Sequence, residues 1–550
     1  MPKADLLIVG RVATLAGESG WGWERAVAIA GGRVLATGSE SELEATVAPR
    51  TELWRLADDE VVLPGLTDAH LHLMSLALAE AHLDLTGLDL RATLDAVAKR
   101  HRDMDAAGDA GWLLGHGWSA HDLGGWPTAE DLERVAPGRP VALYAHDHHS
   151  RWVSHEAIRR ARIGDVSDPE FVALIRRDDA GEPTGILHEW GSTLVDSAID
   201  EPSFEQVEAL VGSVARKLAA LGLTGCHDPG ELNADTQIVR GPVFYRSADE
   251  RGRLPLRVHG AIRAHQLDRA VELGLRSGEP GVRHFTMGWL KLFSDGSLGS
   301  RSAALLEPYA DAGVNPPTGS PRGMYLMERD ELDGYLRRAA GAGITGQVHA
   351  IGDGAVRLAL DVFEALRLPE MALLPRIEHA QLVDPADQPR FGRLGVAASV
   401  QPVHLRSDAP QVRAGWGDRG QNSFPLRGIL DGGALIPFGT DAPVEPPDPW
   451  PGIAVAVTRR DPFRPDDEPI GGTHAISLER AMRAACLDPA LSARLTDVGR
   501  LTAGYRADLI VVPDAGFVEP LDAAALASTR PLATLIDGEV IHQAEDFAAT

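Results

Sequence analysis

Short apolar runs alternate with amphipathic stretches through the middle of the chain. Between most of these runs lie helical patterns such as FEQVEALVGSVARKLAALG and RDELDGYLRRAAGAG. Nearly continuous apolar strands that alternate with helices are typical of a parallel sheet covered on both faces. Eight units of this kind predict an α/β fold, a closed (β/α)8 TIM barrel. The eight runs begin at Val61, Leu223, Leu254, His284, Thr345, Leu374, Val396 and Leu435.

The two ends of the chain carry β patterns instead. ADLLIVG, RVATLAG and ERAVAIAGGRVLATG lie near the start, and YRADLIVVPD and LATLIDGEVIHQA lie near the end. Gly31-Gly32 and Asp537-Gly538 are typical hairpin turns. Because chain termini often lie close together, we expect residues 1–64 and 490–550 to form one small β-sandwich beside a barrel of residues 65–489.

One connection in the predicted barrel is too long to be a loop. The first strand ends near His72 and the second begins near Leu223, about 150 residues later. We therefore expect an inserted subdomain at about 75–220. Its dense Trp and His content, including Trp118 and His149, suits the lining of a substrate pocket over the barrel mouth.

Composition narrows the class of partner. The chain has 550 residues and a formal net charge of −26, which repels phosphate backbones and anionic membranes. It lacks an apolar run near the roughly 18 residues of a transmembrane helix, and its start does not read as a signal peptide. Two cysteines cannot build a disulfide framework. These features predict a cytoplasmic enzyme with a small-molecule substrate and without nucleic-acid or membrane partners, and they leave a homodimer open.

The strand ends carry the candidate chemistry. His70 and His72 end the first run, and residues i and i+2 of a strand point to the same face. Further His, Lys and Asp residues recur at the ends of other runs, where barrel enzymes place their chemistry. Four histidines and one aspartate suit a divalent ion, of which zinc fits best. The candidate ligands are His70, His72, Lys291, His349, His379 and Asp441.

Lys291 and two further histidines outside the ligand set each allow two interpretations. Lys291 lies in the apolar run GWLKLF, where a charged amine is costly to bury. It either pairs with a carboxylate such as Asp295 or becomes a carbamate that bridges two metal ions. His404 either contacts substrate or packs. The run that contains His149 favours a polar cleft over a second metal site.

The motifs together resemble the amidohydrolase superfamily and its YtcJ-like branch, amidohydrolase family 3, which includes N-substituted formamide deformylase. The segments that carry the resemblance are VLPGLTDAHLHL, GLTGCHDPG, LKLFSDGSLGSRSA, QVHAIGDGA, RIEHAQ, ASVQPVH, FGTDAPV and LTAGYRADLIVV. The resemblance implies that the six candidate residues are metal ligands, that Lys291 is carboxylated, and that Asp441 is also a proton shuttle. The chain departs from the branch at His148 and at Ser154, which stands where relatives usually have Asn.

We therefore expect metal-assisted hydrolysis with one or two zinc ions. A bound ion lowers the pKa of water from about 15.7 to about 7. Asp441 takes the proton and passes it to the leaving nitrogen, and the cleft histidines His404 and His149 assist at the carbonyl. The expected target is a C–N bond of an amide, an N-substituted formamide or a cyclic amide. The alternatives are hydrolytic deamination of a small ring, phosphoester cleavage, and a non-catalytic protein of the same fold.

Overall fold

The computed structural model describes residues 2–145, 150–199, 202–230, 241–313, 320–367, 370–517, 520–545 and 547. The chain divides into two compact units. One contains Met1–Leu76 together with Val211–Thr550, and the other contains Ala77–Leu210.

The strands fall into three sheets. In chain order they are β1 (Leu6–Ala13), β2 (Trp23–Ala30), β3 (Arg33–Gly38), β4 (Glu52–Arg55), β5 (Glu60–Pro64), β6 (Leu66–Asp68), β7 (Leu83–Asp84), β8 (Leu113–Trp118), β9 (Val141–Ala145), β10 (Ser150–Val153), β11 (Ile175–Arg177), β12 (Pro183–His188), β13 (Leu223–Asp228), β14 (Arg257–Arg263), β15 (Phe285–Phe293), β16 (Gly346–Ala350), β17 (Arg376–His379), β18 (Ala397–Ser399), β19 (Leu509–Pro513), β20 (Ala533–Ile536) and β21 (Glu539–Gln543).

Short polar residues begin several of the helices. Asp89, Thr128 and Ser477 each accept a hydrogen bond from a backbone N–H of the first turn. The α-helices are α1 (Glu40–Leu43), α2 (Leu73–Ala81), α3 (Leu90–Ala106), α4 (Ala129–Val135), α5 (His155–Arg160), α6 (Pro169–Val172), α7 (Phe204–Ala220), α8 (Pro242–Glu250), α9 (Leu267–Glu272), α10 (Arg329–Gly341), α11 (Asp353–Leu366), α12 (Gln388–Leu394), α13 (His404–Trp416), α14 (Leu426–Asp431), α15 (Pro449–Thr458), α16 (Leu478–Ser492) and α17 (Ala523–Ala527). None of the helices in the described residues is both long and apolar enough to span a membrane.

Strands from both ends of the chain share one sheet. Its order is β21-β20-β19-β5-β1-β2-β3, and β4 pairs with β1. The antiparallel pairing of β5 with β19 joins the two ends, with Val62 opposite Val511. Alternate residues of β1 enter different apolar clusters, because successive side chains of a strand point to opposite faces.

The second sheet of this unit is parallel throughout, and its strands come from the middle part of the sequence. Its order is β18-β17-β16-β15-β14-β13-β6, so chain neighbours are sheet neighbours. Each of the first seven apolar runs supplies one of these strands. Most strand residues are buried, as expected for a sheet that is covered on both faces.

The eighth apolar run bonds to both edges of the parallel sheet. On one side, Val400 N–H donates to the Pro437 carbonyl at 3.0 Å. On the other side, Ala69 N–H donates to the Phe438 carbonyl at 2.8 Å. Asp441 N–H donates to the His70 carbonyl at 2.7 Å, so the end of this run lies beside the end of β6.

The unit Ala77–Leu210 has a mixed sheet of its own, with the order β11-β12-β10-β9-β8-β7. Trp118 is 1% exposed there, and its indole N–H donates to the Leu143 carbonyl at 2.8 Å. It is therefore a core residue of this unit, not the lining of an open pocket as the sequence suggests. Ser154 is also buried and caps α5, which gives this departure from the family pattern a structural role.

Candidate metal centre

The first two candidate ligands follow β6 directly. The Asp68 carboxylate accepts the His70 backbone N–H at 3.0 Å, which shapes the chain as it leaves the strand. His70 and His72 are both buried, and their ring centroids lie 5.4 Å apart. Both imidazoles therefore lie close together, although the two residues follow β6 and are not part of the strand on which the sequence argument placed them.

Asp441 meets these two histidines from the eighth run. Its Oδ1 lies 3.4 Å from His70 Nε2 and 3.2 Å from His72 Nε2. Its φ of 62° lies in the left-handed region, which few non-glycine residues other than Asn and Asp adopt. Potential ligand atoms of the three residues all lie within 4.8 Å of one another.

The remaining candidates lie beside this trio. The His379 ring is 4.9 Å from the His70 ring and 4.4 Å from the His349 ring, measured between centroids. Lys291 Nζ lies 3.4 Å from His70 Nε2. The structure therefore brings all six candidate ligands together at the ends of β6, β15, β16, β17 and the eighth run.

Three of the histidines have their Nδ1 atoms engaged. His70 Nδ1 contacts Glu378 Oε2 at 2.5 Å, His72 Nδ1 contacts the Gly230 carbonyl, and His379 Nδ1 contacts Gln401 Oε1 at 2.8 Å. An acceptor at Nδ1 fixes the proton there and leaves the Nε2 lone pair available, as in metal-binding histidines. His349 differs, because its Nε2 faces the Gly296 carbonyl at 3.2 Å. The nitrogen and carboxylate donors fit a borderline divalent ion.

Burial and neighbouring charges together set the charge state of these groups. Burial, reinforced by the charge of Lys291, lowers the pKa of His70 to about 4 and that of His349 to about 3. Burial raises the pKa of Asp441, but the neighbouring histidines outweigh it and hold that pKa well below its ordinary value. Neutral imidazoles and an ionised carboxylate are the forms that bind metals.

Lys291 lies in β15 and is 1% exposed. Burial lowers its pKa to about 8. Asp295 accepts backbone N–H groups from Ala304, Ile351 and Gly352 at 2.9–3.0 Å. Within the described part of the chain, no ion pair within 4.0 Å joins Lys291 to Asp295. The carboxylates that favour its charged form are Glu378 and Asp441, which raise its pKa against the effect of burial.

His404 begins α13 and is 8% exposed. Its Nε2 is buried without a hydrogen-bond partner among the described residues and lies 3.6 Å from Asp441 Oδ2. An unsatisfied buried nitrogen is uncommon and calls for an explanation such as a bound group. The second predicted cleft histidine, His149, lies outside the described residues.

Sequence reasoning missed the groups that hold the ligands. Glu378 is fully buried, accepts from Arg376, and contacts His70. Burial raises its pKa, but Arg376 and His70 lower it well below the ordinary value. The available signal was RIEH itself, because opposite charges at i and i+2 of an apolar strand lie on one face and pair when they are buried. Gln401, which holds His379, follows β18 and carries no comparable signal.

Comparison with known proteins places the chain in a family. A model described as "Amidohydrolase family" matches residues 57–542. The chain belongs to the amidohydrolase family. The prediction from its motifs is therefore confirmed.

Relatives of this amidohydrolase match it over almost their whole length. YtcJ of Bacillus subtilis (strain 168) is 30% identical over 524 residues, 94% of this chain and 96% of YtcJ. The N-substituted formamide deformylase of Arthrobacter pascens is 28% identical over 552 residues, 94% of this chain and 95% of that protein. A crystal structure of an uncharacterised metal-dependent hydrolase from Pyrococcus furiosus has a TM-score of 0.74 at 28% identity, with coverage of 92% of this chain and 98% of that one.

Proposed function

We propose that the protein is a metal-dependent hydrolase that cleaves a C–N bond of an amide, an N-substituted formamide or a cyclic amide. One observation carries the proposal. Asp441 Oδ1 lies 3.2–3.4 Å from the Nε2 atoms of His70 and His72, and another group engages the Nδ1 of each. The relatives named as a formamide deformylase and a metal-dependent hydrolase support the reaction class.

The six candidate ligands would hold one or two divalent ions, and zinc suits their nitrogen and oxygen donors best. A bound ion would supply a Lewis acid and a water whose pKa is lowered to about 7. This part of the proposal assigns metal binding to His70, His72, Lys291, His349, His379 and Asp441.

The chain itself moves the protons. Asp441 Oδ2 accepts a proton from the attacking water and returns it to the leaving nitrogen, acting first as general base and then as general acid. His404 Nε2 holds the substrate carbonyl oxygen, a role that its unsatisfied nitrogen beside Asp441 supports. His149 stays a prediction for the same cleft.

Lys291 serves this site as a carbamate in our proposal. Its neutral amine attacks the carbon of carbon dioxide, so that an N–C bond forms, one C=O π pair moves to oxygen, and the proton of the nitrogen passes to bulk water. The resulting anion would serve as a metal ligand, and it removes the cost of a buried ammonium. Its position 3.4 Å from His70 Nε2 supports this assignment.

The proposal includes the closed (β/α)8 barrel. Its eighth strand is the run from Leu435, whose hydrogen bonds to both edges of the parallel sheet support closure. The terminal sheet, from residues 1–64 and 490–550, and an insertion at about 75–220 complete the proposed architecture.

Metal analysis combined with a substrate screen tests the function. The screen offers N-formyl amines, N-acyl amines and cyclic amides with amine or acid release as readout, and amino-substituted rings with ammonia release for the deaminase alternative. His72→Asn should lose both metal and turnover. The matched control His284→Asn should keep both, because that buried histidine bonds the Leu254 carbonyl outside the centre. Protein that binds no divalent ion, or hydrolyses only the rings, would overturn the proposal.

A further inference from the structure

Two consecutive residues of β17 reach the same histidine. Successive strand residues normally point to opposite faces, so Glu378 and His379 should diverge. However, φ is 73° at His379 and 40° at Ala380, and the chain leaves the strand geometry there. Glu378 Oε2 therefore contacts His70 Nδ1 at 2.5 Å while the His379 ring lies 4.9 Å from the His70 ring.

Arg376 holds Glu378 from the same strand. Its Nε donates to Oε1 at 2.8 Å and its Nη2 donates to Oε2 at 3.0 Å, the bidentate arrangement that fixes a carboxylate most firmly. Nη2 also contacts the Ala69 carbonyl at 2.6 Å and Ser399 Oγ at 2.7 Å, and Nη1 contacts His227 Nδ1 at 2.8 Å. The guanidinium is fully buried, so these contacts take the place of hydrogen bonds to water.

This arrangement determines which nitrogen of His70 carries a proton. An ionised carboxylate only accepts hydrogen bonds. The Nδ1 of His70 must therefore donate to Glu378, and the Nε2 lone pair faces Asp441 Oδ1 at 3.4 Å. Arg376 also bonds the carbonyl of Ala69, the residue before His70, so one network holds the ring and the backbone of this ligand.

We propose that the buried Arg376–Glu378 pair positions His70 for metal binding, by fixing its tautomer and its ring orientation. The inference rests on the proposed metal site. Stability alone does not account for the pair, because a buried ion pair is often no better than apolar residues of the same volume. Orientation of a ligand by a hydrogen-bonded carboxylate does account for it.

Glu378→Gln tests the pair, because an amide has the same shape but lacks the charge and offers a donor in place of one acceptor. The metal-free full-length protein is titrated with Zn²⁺ against a chelating dye, and the absorption spectrum of the Co²⁺-loaded protein is recorded. We expect affinity to fall about 10- to 100-fold and the Co²⁺ spectrum to change.

The chain offers a matched control. Asp508 accepts Arg257 in a bidentate pair at 2.6 and 3.0 Å, is 3% exposed, and belongs to the terminal sheet region. Asp508→Asn disturbs a buried Arg–carboxylate pair elsewhere, and it should keep wild-type Zn²⁺ affinity and spectrum. Equal losses in both variants would show general destabilisation and overturn the positioning role.

A double substitution separates action through His70 from a merely structural effect. In a His70→Ala background, Glu378→Gln should change Zn²⁺ affinity by less than about threefold, because coupled residues do not have additive effects. The same decrement in both backgrounds would overturn the inference. If Glu378→Gln does not fold, Glu378→Asp takes its place, because Asp keeps the charge but has a shorter reach. Wild-type Zn²⁺ affinity in Glu378→Asp would then overturn the inference. A wild-type protein without Zn²⁺ affinity would instead refute the proposed function.

Discussion

Replacement of Asp441 by Asn separates proton transfer from the shape of the site. Asparagine keeps an oxygen where Oδ1 lies 3.2 Å from His72 Nε2 and 3.4 Å from His70 Nε2. Its second atom becomes an amide nitrogen that cannot accept a proton. Asn also tolerates the left-handed backbone at φ 62° nearly as well as Asp, so the substitution adds little strain.

The expected loss follows from the role that disappears. A positioned general acid–base group contributes about 10²- to 10⁴-fold in rate, and each tenfold corresponds to about 1.36 kcal/mol. We therefore expect kcat to fall by that factor, which corresponds to a rise of about 2.7–5.4 kcal/mol in the activation free energy. No cavity is created, so the folding stability should change far less than the rate.

The assay measures kcat at saturating Zn²⁺ for the substrate found in the screen, together with bound metal and thermal unfolding. Asp249→Asn is the control, because its carboxylate accepts backbone N–H groups of Val282, Arg283 and His284 away from the centre. A metal-loaded Asp441→Asn protein with kcat within tenfold of wild type would refute Asp441 as the proton carrier.

Four further outcomes are expected. Lys291→Ala should lower metal stoichiometry and abolish turnover, and added bicarbonate or a short carboxylic acid should partly restore the turnover. A Lys291→Ala protein with full metal content and normal turnover would show that the lysine has a structural role. Removal of metal with a chelator should abolish hydrolysis and Zn²⁺ should restore it, as followed by metal content and rate. Trp118→Ala should destabilise the unit Ala77–Leu210 by about 3–5 kcal/mol in denaturant unfolding, because the residue is 1% exposed. Burial raises the pKa of Asp249, but its backbone donors outweigh burial and hold it below its ordinary value, so its stabilising effect is present above the unfolded pKa and is lost as pH falls. The Tm difference between wild type and Asp249→Asn should therefore shrink as pH falls below the ordinary Asp pKa of 3.8, and a constant difference would contradict this reasoning.

The local pattern of apolar and polar residues was sufficient to predict most of the strands. The i, i+2 spacing of His70 and His72 predicts a shared face, and the two ring centroids lie 5.4 Å apart, although both residues follow the end of β6 at Asp68 and are not held there by strand alternation. Apolar runs followed by His or Asp predict strand ends, and seven of the eight runs supply strands of one parallel sheet. Hydrophobic alternation predicts strands at both ends of the chain, although the pairing of Val62 with Val511 is seen only in the folded sheet.

The partners of these side chains depended on the tertiary structure. Glu378 meets His70 across 308 positions of sequence, and no periodicity within RIEH specifies that contact. The left-handed φ of 73° at His379 turns two neighbouring residues toward one site, against the alternation that the sequence implies. Trp118 reads as a pocket residue in the sequence, yet it is 1% exposed in the core of its unit. Periodicity specifies which face of an element a residue occupies, whereas the residue it meets is set by how distant elements pack, and that is decided only when the whole chain folds.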